Sequence, residues 1–380
     1  MKSKPKFATL AIKSVENHFE SSEPVSTPIY LSSTYKRSSD GSYNNDLVYS
    51  RSDNPNRSIV EKSIAQLENG KYSFAFSSGM AAINAVFQSL KCGDHIILPN
   101  DIYYAIKKLL EQVFKRWKLT FDFVDMSDLK AIEKAIKVST VLVWVESPSN
   151  PQLKISDIEA ISNIAHKNNA ICCVDNTWAT PVLQNPLRLG ADIVMHSSTK
   201  YFGGHSDVIG GALVLNNEKL ADKIKDIQVL SGAVPSPFDC WLIARGIQTL
   251  HLRITKQSEN AYKLAQFFKN HSKVEKVLYP GFESHPQHLL AKKQQKNGFG
   301  AMLSVLIKGS EKEVFKISTQ LKYFTTATSL GGVESLVEHR KSVEGTNNTT
   351  PNNLLRISLG IEHIDDLIED WKNALSMSNQ

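Results

Sequence analysis

Apolar positions along the chain change period several times, and the changes divide it into segments. Residues 1–55 read as an irregular arm: Ser-rich, interrupted by Pro24, Pro28 and Pro55, with few periodic apolar positions. Such a segment cannot bury enough of itself to fold alone and is predicted to lie across another surface. Val60, Ile64 and Leu67 then follow helical spacing up to Gly70, a predicted C′ residue. Ile83, Val86, Phe87 and Leu90 repeat the stripe between Ser77-Ser78-Gly79 and Gly93. Continuous apolar runs at 96–98, 121–124, 141–145, 170–174, 192–195 and 212–215 read as buried strands. Between the third and fourth lies a helix opened by the capping box Ser156-x-x-Glu159, with Ile158, Ile161 and Ala165 on one face.

Strands without polar alternation, separated by amphipathic helices, predict an α/β fold with a mostly parallel central sheet covered on both faces. From about residue 246 the pattern shifts to a long helical stretch and then mixed strands and helices. It ends in a helix carrying Ile364, Leu367, Ile368 and Trp371. The predicted organisation is an arm (1–55), a large domain (56–245) and a smaller α/β C-terminal domain (246–380).

Composition narrows this picture. With 380 residues, 41% hydrophobic and 22% charged, the chain is of ordinary globular type and long enough for about two or three domains. The net charge of +6 is spread along the sequence, in pairs such as Lys107-Lys108 and Lys292-Lys293. That pattern predicts a solvated basic surface suited to small anions, not a nucleic-acid footprint. No apolar run reaches the ~18 residues that span a bilayer. No apolar segment follows the lysine-rich first residues, so a cytoplasmic location is expected. Cys92, Cys172, Cys173 and Cys240 fit neither a C-x-x-C nor a Cys/His zinc pattern and read as buried reduced thiols, with no metal site.

In open α/β sheets ligands bind outside the carboxyl ends of the strands. Four polar clusters sit at such positions: Glu146-Ser147-Pro148-Ser149-Asn150-Pro151, Val174-Asp175-Asn176-Thr177, His196-Ser197-Ser198-Thr199-Lys200, and Ser77-Ser78-Gly79-Met80. Singly, each has an ordinary meaning: a surface lysine, a turn aspartate, a helix start. Together they fit pyridoxal phosphate (PLP). Ser77, Gly79 and the helix after them offer a hydroxyl, backbone N–H groups and a positive dipole end to a phosphate. Ser197 and Thr199 add hydroxyls. Asp175 can hold a pyridinium nitrogen protonated, and Lys200 can form an imine and later act as a base. Gly203-Gly204 and Gly210-Gly211 lack the spacing of a dinucleotide fingerprint, which disfavours a dehydrogenase. A non-enzymatic scaffold would need none of Lys200, Asp175 and Arg356.

The run Ala191-Asp192-Ile193-Val194-Met195-His196-Ser197-Ser198-Thr199-Lys200-Tyr201-Phe202-Gly203-Gly204-His205-Ser206-Asp207 closely resembles the cofactor-lysine signature of the Cys/Met-metabolism PLP-dependent family. The likeness extends from about residue 25 to 376. It includes Tyr49-Ser50-Arg51 with Asn54-Pro55, Ser78-Gly79-Met80-Ala81-Ala82, Asp175-Asn176-Thr177, Tyr279-Pro280-Gly281, Ser329-Leu330-Gly331-Gly332 and Leu355-Arg356-Ile357-Ser358.

The resemblance implies a fold-type-I PLP-dependent transferase fold and a homotetramer built from two catalytic dimers. It implies Lys200 as the Schiff-base lysine and Asp175 as the pyridinium partner. Gly79, Met80, Ser197 and Thr199 match the phosphate cradle, and Tyr103 the tyrosine stacked on the ring. Tyr49 and Arg51 resemble the pair that reaches the neighbouring subunit's phosphate. Asn150, Ser329 and Arg356 resemble the clamp on the substrate α-carboxylate. Glu146 is expected to pack or hydrogen-bond near its strand end rather than to take part in catalysis.

Three stretches depart from the family's pattern. Asp101-Ile102-Tyr103-Tyr104-Ala105-Ile106 replaces a glycine-containing loop, Thr328 stands where a glutamate is common, and Val337-Glu338-His339-Arg340-Lys341-Ser342-Val343-Glu344-Gly345 replaces a Pro-containing loop. The last reads as a solvated charged stretch rather than a site for a second carboxylate. The expected activity is cleavage of a C–S bond of cystathionine or a related sulfur amino acid by β- or γ-elimination. The alternative is γ-replacement on an activated homoserine, as in cystathionine γ-synthases and O-acylhomoserine sulfhydrylases.

Overall fold

The computed structural model describes residues 5–15, 24–344 and 350–377. Parts of the predicted arm (1–4 and 16–23), the end of the altered loop from Gly345, and the last three residues lie outside the described residues.

The chain opens with helix α1 (Phe7–Lys13), and after an extended stretch comes α2 (Pro55–Glu68). Strands and helices then alternate: β1 (Tyr72–Phe76), α3 (Gly79–Gln88), β2 (His95–Pro99), α4 (Tyr104–Gln112), β3 (Thr120–Val124), α5 (Leu129–Ala135) and β4 (Thr140–Glu146). They continue with α6 (Ile158–Lys167), β5 (Ile171–Asp175), the short α7 (Thr180–Leu183), β6 (Ile193–His196), β7 (Gly211–Leu215) and α8 (Glu218–Ser231). Helix α9 (Pro237–Lys269) runs unbroken through position 246. The remainder comprises β8 (Val274–Leu278), α10 (His288–Gln294), β9 (Met302–Ile307), α11 (Glu311–Gln320), β10 (Thr325–Thr326), β11 (Leu336–His339), α12 (Arg340–Glu344), β12 (Leu354–Ser358) and α13 (Ile364–Met377).

The first seven strands form one sheet in the order β1-β7-β6-β5-β4-β2-β3. Its neighbours are parallel from β6 to β3, and β7 is antiparallel to both β6 and β1. The central strands are mostly apolar because helices cover both faces. On one face Phe87 packs edge-on against Phe114, with ring centroids 5.6 Å apart, and against the fully buried Trp144. The second sheet runs β10-β11-β12-β9-β8 and is mainly antiparallel. Its core centres on Trp371, held edge-on by Phe268 at 4.8 Å and Phe324 at 5.6 Å. Each such pair adds about 0.5–1.5 kcal/mol beyond area burial. The α/β class and the mostly parallel sheet therefore stand as expected.

Several local expectations need correction. The arm is not wholly irregular: α1 buries Ala11 in the core cluster to which Phe7 and Leu10 pack. Helix α2 places Asn69, not Gly70, in the left-handed conformation, at φ +62°. Gly70 is instead required by space, since a Cβ there would sit 2.3 Å from Val214 Cγ1. The cap of α6 is Asp157, whose carboxylate accepts from the Ala160 N–H at 3.0 Å. Ser156 lies one residue too early, its N–H donating to Ser147 Oγ at 3.1 Å.

Strands β4, β5 and β6 end side by side, with Glu146 opposite Asp175 and Asp175 opposite Met195. Their carboxyl ends position the site. Among the described residues no helix is long and apolar enough to cross a membrane, and no cluster of three His, Cys, Asp or Glu could hold a metal ion.

Candidate active site

A cavity of about 380 Å³ opens at these strand ends. Gly79, Met80, Tyr103, Asn150, Asp175, Ser197, Thr199, Lys200, Ser329 and Arg356, drawn from both sheets and the connections around them, all line it. Sequence positions up to 277 residues apart (356 − 79) thus meet in one hollow.

Lys200 follows β6 on a turn. Its Nζ donates to Ser329 Oγ at 2.7 Å. Removal from water, reinforced by the nearby Arg356 charge and opposed by Glu338, lowers its pKa to about 8. Ser329 holds φ +85°, an uncommon left-handed conformation for a non-glycine residue. Next to it Gly331 is irreplaceable on space: a Cβ would lie 2.9 Å from the Tyr201 backbone nitrogen. The loop carrying Ser329 therefore packs directly on the backbone of the lysine turn.

Asp175 ends β5. Its Oδ1 accepts the Thr177 N–H at 2.9 Å, while Thr177 Oγ1 accepts the Ser197 N–H at 2.8 Å. Among the described residues no basic side chain forms an ion pair with Asp175. Burial raises its pKa, and the Thr177 hydrogen bonds oppose the rise only in part. Glu146, at the end of β4, is pushed well up by burial and by the carboxylates of Asp175 and Asp101. Its Oε2 accepts the Tyr103 N–H at 3.3 Å, so it braces the loop that carries Tyr103. Tyr104 meets the Tyr103 ring edge-on, 5.0 Å between centroids, and also lines the cavity, as does Thr328.

The start of α3 forms another wall. Ser78 caps the helix by accepting the Ala81 N–H at 3.0 Å. A side chain at Gly79 would be crowded, because a Cβ would lie 3.0 Å from Ser197 Cβ and Oγ. First-turn N–H groups have no intrahelical acceptor, and Gly79 and Met80 are in that turn. Ser77 does not line this cavity: it faces an adjoining hollow, its N–H donating to Ala233 O at 2.9 Å, so the serine at the helix start is Ser78. The Thr199 hydroxyl donates to Gly210 O at 3.2 Å and accepts the Gly210 N–H at 3.1 Å.

Arg356 lies on β12. Its Nη2 donates to Ser329 O at 2.8 Å, and its Nη1 lies 3.4 Å from Asn150 Oδ1. Nη2 is also 2.7 Å from Glu338 Oε2. The 338–340 stretch is not solvated, contrary to the expectation from charge alone. Glu338, His339 and Arg340 are 3%, 2% and 6% exposed, because β11 continues through His339 into the second sheet.

Tyr49 and Arg51 are not brought to this cavity. The Arg51 guanidinium lies over the exposed Tyr49 ring at 5.2 Å. Arg57, almost fully buried, donates to Ser50 O at 2.8 Å and Ser52 O at 2.7 Å, fixing the chain on either side of Arg51. Sequence reasoning also missed Glu68, which is buried beneath the site. Its Oε1 is 2.6 Å from His196 Nε2 and accepts from Asn176 Nδ2 at 2.7 Å. Its signal is a helical carboxylate 128 residues from its histidine partner, which no local pattern exposes.

Residues 8–376 match the family described as Cys/Met metabolism PLP-dependent enzymes. The chain is 45% identical to cystathionine gamma-synthase of Mycobacterium bovis, over 92% of each chain. It is 46% identical to cystathionine beta-lyase of Coxiella burnetii, over 92% of this chain and 93% of that one. The solved structure of cystathionine gamma-lyase from Lactobacillus plantarum in complex with L-serine superposes with a TM-score of 0.93 at 39% identity, covering 99% of this chain and all of that one. The chain belongs to the Cys/Met metabolism PLP-dependent enzyme family.

The residues present fit the cofactor of that family. Asp175 is a half-buried carboxylate that forms no ion pair with a basic side chain among the described residues, a role that a protonated ring nitrogen would fill. The backbone at Gly79 approaches Ser197 so closely that even a Cβ would crowd it, bringing donors from a helix start and a strand-end turn around one point. The one lysine of the cavity has a lowered pKa, as imine chemistry requires.

Proposed function

We propose that this PLP-dependent enzyme performs trans-sulfuration, cleaving a C–S bond of cystathionine or a related thioether amino acid by β- or γ-elimination. The observation that carries the reading is the convergence on one cavity of the Lys200 amine, the unpaired Asp175 carboxylate and the Arg356 guanidinium.

PLP, when bound, supplies an electron sink for negative charge developing at the substrate Cα. Lys200 Nζ would hold the cofactor and, when free, would take the proton from the substrate Cα. A pKa of about 8 leaves part of the amine as free base near neutral pH, where both forms are useful. Asp175 would hold the ring nitrogen protonated, Gly79, Met80, Ser197 and Thr199 would hold the phosphate, and Tyr103 would pack against the ring. Arg356 offers a fork to the α-carboxylate, with Asn150 and Ser329 orienting it. One amine serves twice because displacement leaves it beside Cα, so no separate base is needed.

Tyr49 and Arg51 are assigned to the phosphate site of a neighbouring copy in a homotetramer of two catalytic dimers. Their distance from their own chain's cavity, and the bracing of that segment by Arg57, support this. The four unpaired cysteines support a reducing, cytoplasmic setting.

The similarity to a gamma-synthase favours a second reading, γ-replacement on an activated homoserine. One experiment separates the two. Holoenzyme is given L-cystathionine, L-methionine or L-cysteine alone, or O-acetyl- or O-succinylhomoserine with cysteine, and keto acid and thiol are followed. Release from cystathionine alone supports elimination; reaction of only the acylhomoserine pairs refutes it.

A further inference from the structure

We propose that Glu68 is a positioning residue for the cofactor, fixing from beneath the central sheet the spacing between Asp175 and the turn that carries Lys200. The inference rests on the reading of those two residues as the ring-nitrogen partner and the cofactor lysine. Pairing between β5 and β6 runs as far as Asp175 opposite Met195. Past that point the two chain segments are linked on the cavity side by Thr177, whose Oγ1 accepts the Ser197 N–H at 2.8 Å. Asp175, Thr177, Met195 and Ser197 line the cavity. Asn176 and His196, their immediate neighbours in sequence, instead reach Glu68, the last residue of α2.

A single oxygen holds both segments. Glu68 Oε1 accepts from Asn176 Nδ2 at 2.7 Å and lies 2.6 Å from His196 Nε2. The other oxygen, Oε2, accepts from Asn185 Nδ2 at 3.3 Å. Glu68, Asn176 and His196 are 0%, 0% and 1% exposed, so water cannot take over these bonds. The Asn176 amide is held in place as well: its Nδ2 also donates to Gln184 O at 2.9 Å, and its Oδ1 accepts from Gln184 Nε2 at 3.0 Å. The Phe202 ring meets His196 edge-on at 4.7 Å.

The shape of the cofactor gives this arrangement its use. Its ring is rigid, with the nitrogen and the carbon that bonds the lysine at opposite ends. Asp175 and Lys200 stand on different strand ends, so both ends of the ring are engaged at once only if the spacing between those strand ends is constant. A link on the cavity face alone lets the two segments splay about it, and a second link on the other face removes that motion. A misplacement of about 1 Å costs roughly 100-fold in rate. Glu68 does not line the cavity and acts through Asn176 and His196.

The test compares Glu68→Gln with Glu68→Asp in holoenzyme prepared with pyridoxal phosphate. The readouts are the cofactor dissociation constant and the circular dichroism of its visible band, with kcat for whichever amino acid the wild type turns over. Glutamine keeps the reach of the side chain and an oxygen for Asn176 and His196, and deletes the charge. Aspartate keeps the charge and both oxygens but is one methylene shorter, so it cannot hold both segments where they now stand. Glu68→Gln should stay within about threefold of wild type in cofactor affinity and kcat, with the visible dichroism kept. Glu68→Asp should weaken cofactor binding by about tenfold, lower kcat by roughly 100-fold and lose about half or more of the visible dichroism.

The reverse order, with Glu68→Gln impaired and Glu68→Asp intact, would overturn the proposal by making charge rather than spacing the contribution. Equal impairment of both would overturn it too, because the variant of unchanged reach must rescue. So would losses confined to melting temperature, with cofactor affinity and dichroism unchanged, which mark a carboxylate that serves only folding. If either variant fails to fold, Asn176→Ser, which cuts one arm of the link and leaves Glu68 in place, carries the expectation given for Glu68→Asp. Borohydride reduction of wild-type holoenzyme separates this inference from the reading beneath it. If the cofactor is not trapped on Lys200, the cofactor assignment falls; if it is trapped there and Glu68→Asp matches wild type, only the role of Glu68 falls.

Discussion

Replacing Asp175 by asparagine should move stability and activity in opposite directions. The side chain is half-buried at the end of β5, where it lines the cavity, with the Thr177 N–H donating to Oδ1 at 2.9 Å. Asparagine keeps the shape and that acceptor, so the substitution deletes charge with little else. Burial holds the Asp175 pKa above the ordinary 3.8, meaning that the apoenzyme pays for ionising it at neutral pH. A buried charge lacking a partner costs on the order of 1–3 kcal/mol, so the apo variant should gain roughly 1 kcal/mol of unfolding free energy. The sign follows from linkage. A carboxyl with a raised folded-state pKa destabilises only when ionised, so the variant's advantage should be largest near pH 7. It should narrow as the pH falls toward the range in which native Asp175 takes up a proton.

With cofactor bound the balance reverses. The carboxylate would then have a cationic partner, and breaking such a pair costs about 3–5 kcal/mol, which as a barrier is roughly two to four orders of magnitude in kcat/KM. The assay is urea unfolding of apoenzyme and turnover of holoenzyme, for wild type and variant side by side. An apo variant less stable than wild type by 1 kcal/mol or more on the scale above would refute the reasoning. So would a holo variant keeping more than about a tenth of wild-type turnover.

Three further outcomes are expected. Lys200→Ala should fold, yield no borohydride-reducible visible chromophore attached to protein, and lose turnover; a retained covalent chromophore would move the attachment point elsewhere. Acylation of Lys200 in the apoenzyme, quantified by peptide mass spectrometry, should rise with pH about a midpoint near 8, because only the free base reacts; a midpoint close to the ordinary 10.5 would show that the amine is not perturbed. Gly331→Ala forces a side chain into a position of φ +85° with its Cβ 2.9 Å from the Tyr201 nitrogen. It should lose about 1–3 kcal/mol in urea unfolding and raise KM as Ser329 shifts; unchanged stability would show that the loop relaxes freely.

The central sheet was legible because parallel strands buried on both faces leave unbroken apolar runs. β1 escaped for a physical reason: Tyr72-Ser73-Phe74-Ala75-Phe76 carries a serine, and its place at the sheet edge follows from antiparallel pairing with β7, about 140 residues away. Helix α1 escaped because Phe7, Leu10 and Ala11 make too short a stripe to declare itself. Its stability comes from docking on the core rather than from its own sequence. Caps were misplaced by one residue at Asn69 and Asp157, since several polar residues adjoin each helix end and packing chooses among them.

The site divides differently. Lys200, Asp175 and Gly79 could be placed at the cavity from the sequence because they lie in a turn after a strand, at a strand end and at a helix start, where the fold itself directs ligands. Glu338 and Arg340 were misread because a run of Glu, His, Arg and Lys has the composition of a wet loop. Only the antiparallel register that sets Glu338 against Arg356 reveals that the run passes through the interior. Local sequence can therefore place the groups that do chemistry, while the charges that set their strength come from strands paired across long intervals of chain. Variation in activity among members sharing Lys200, Asp175 and Arg356 is then expected in residues like Arg340, Thr328 and Tyr104, which line the same cavity without belonging to the shared motifs.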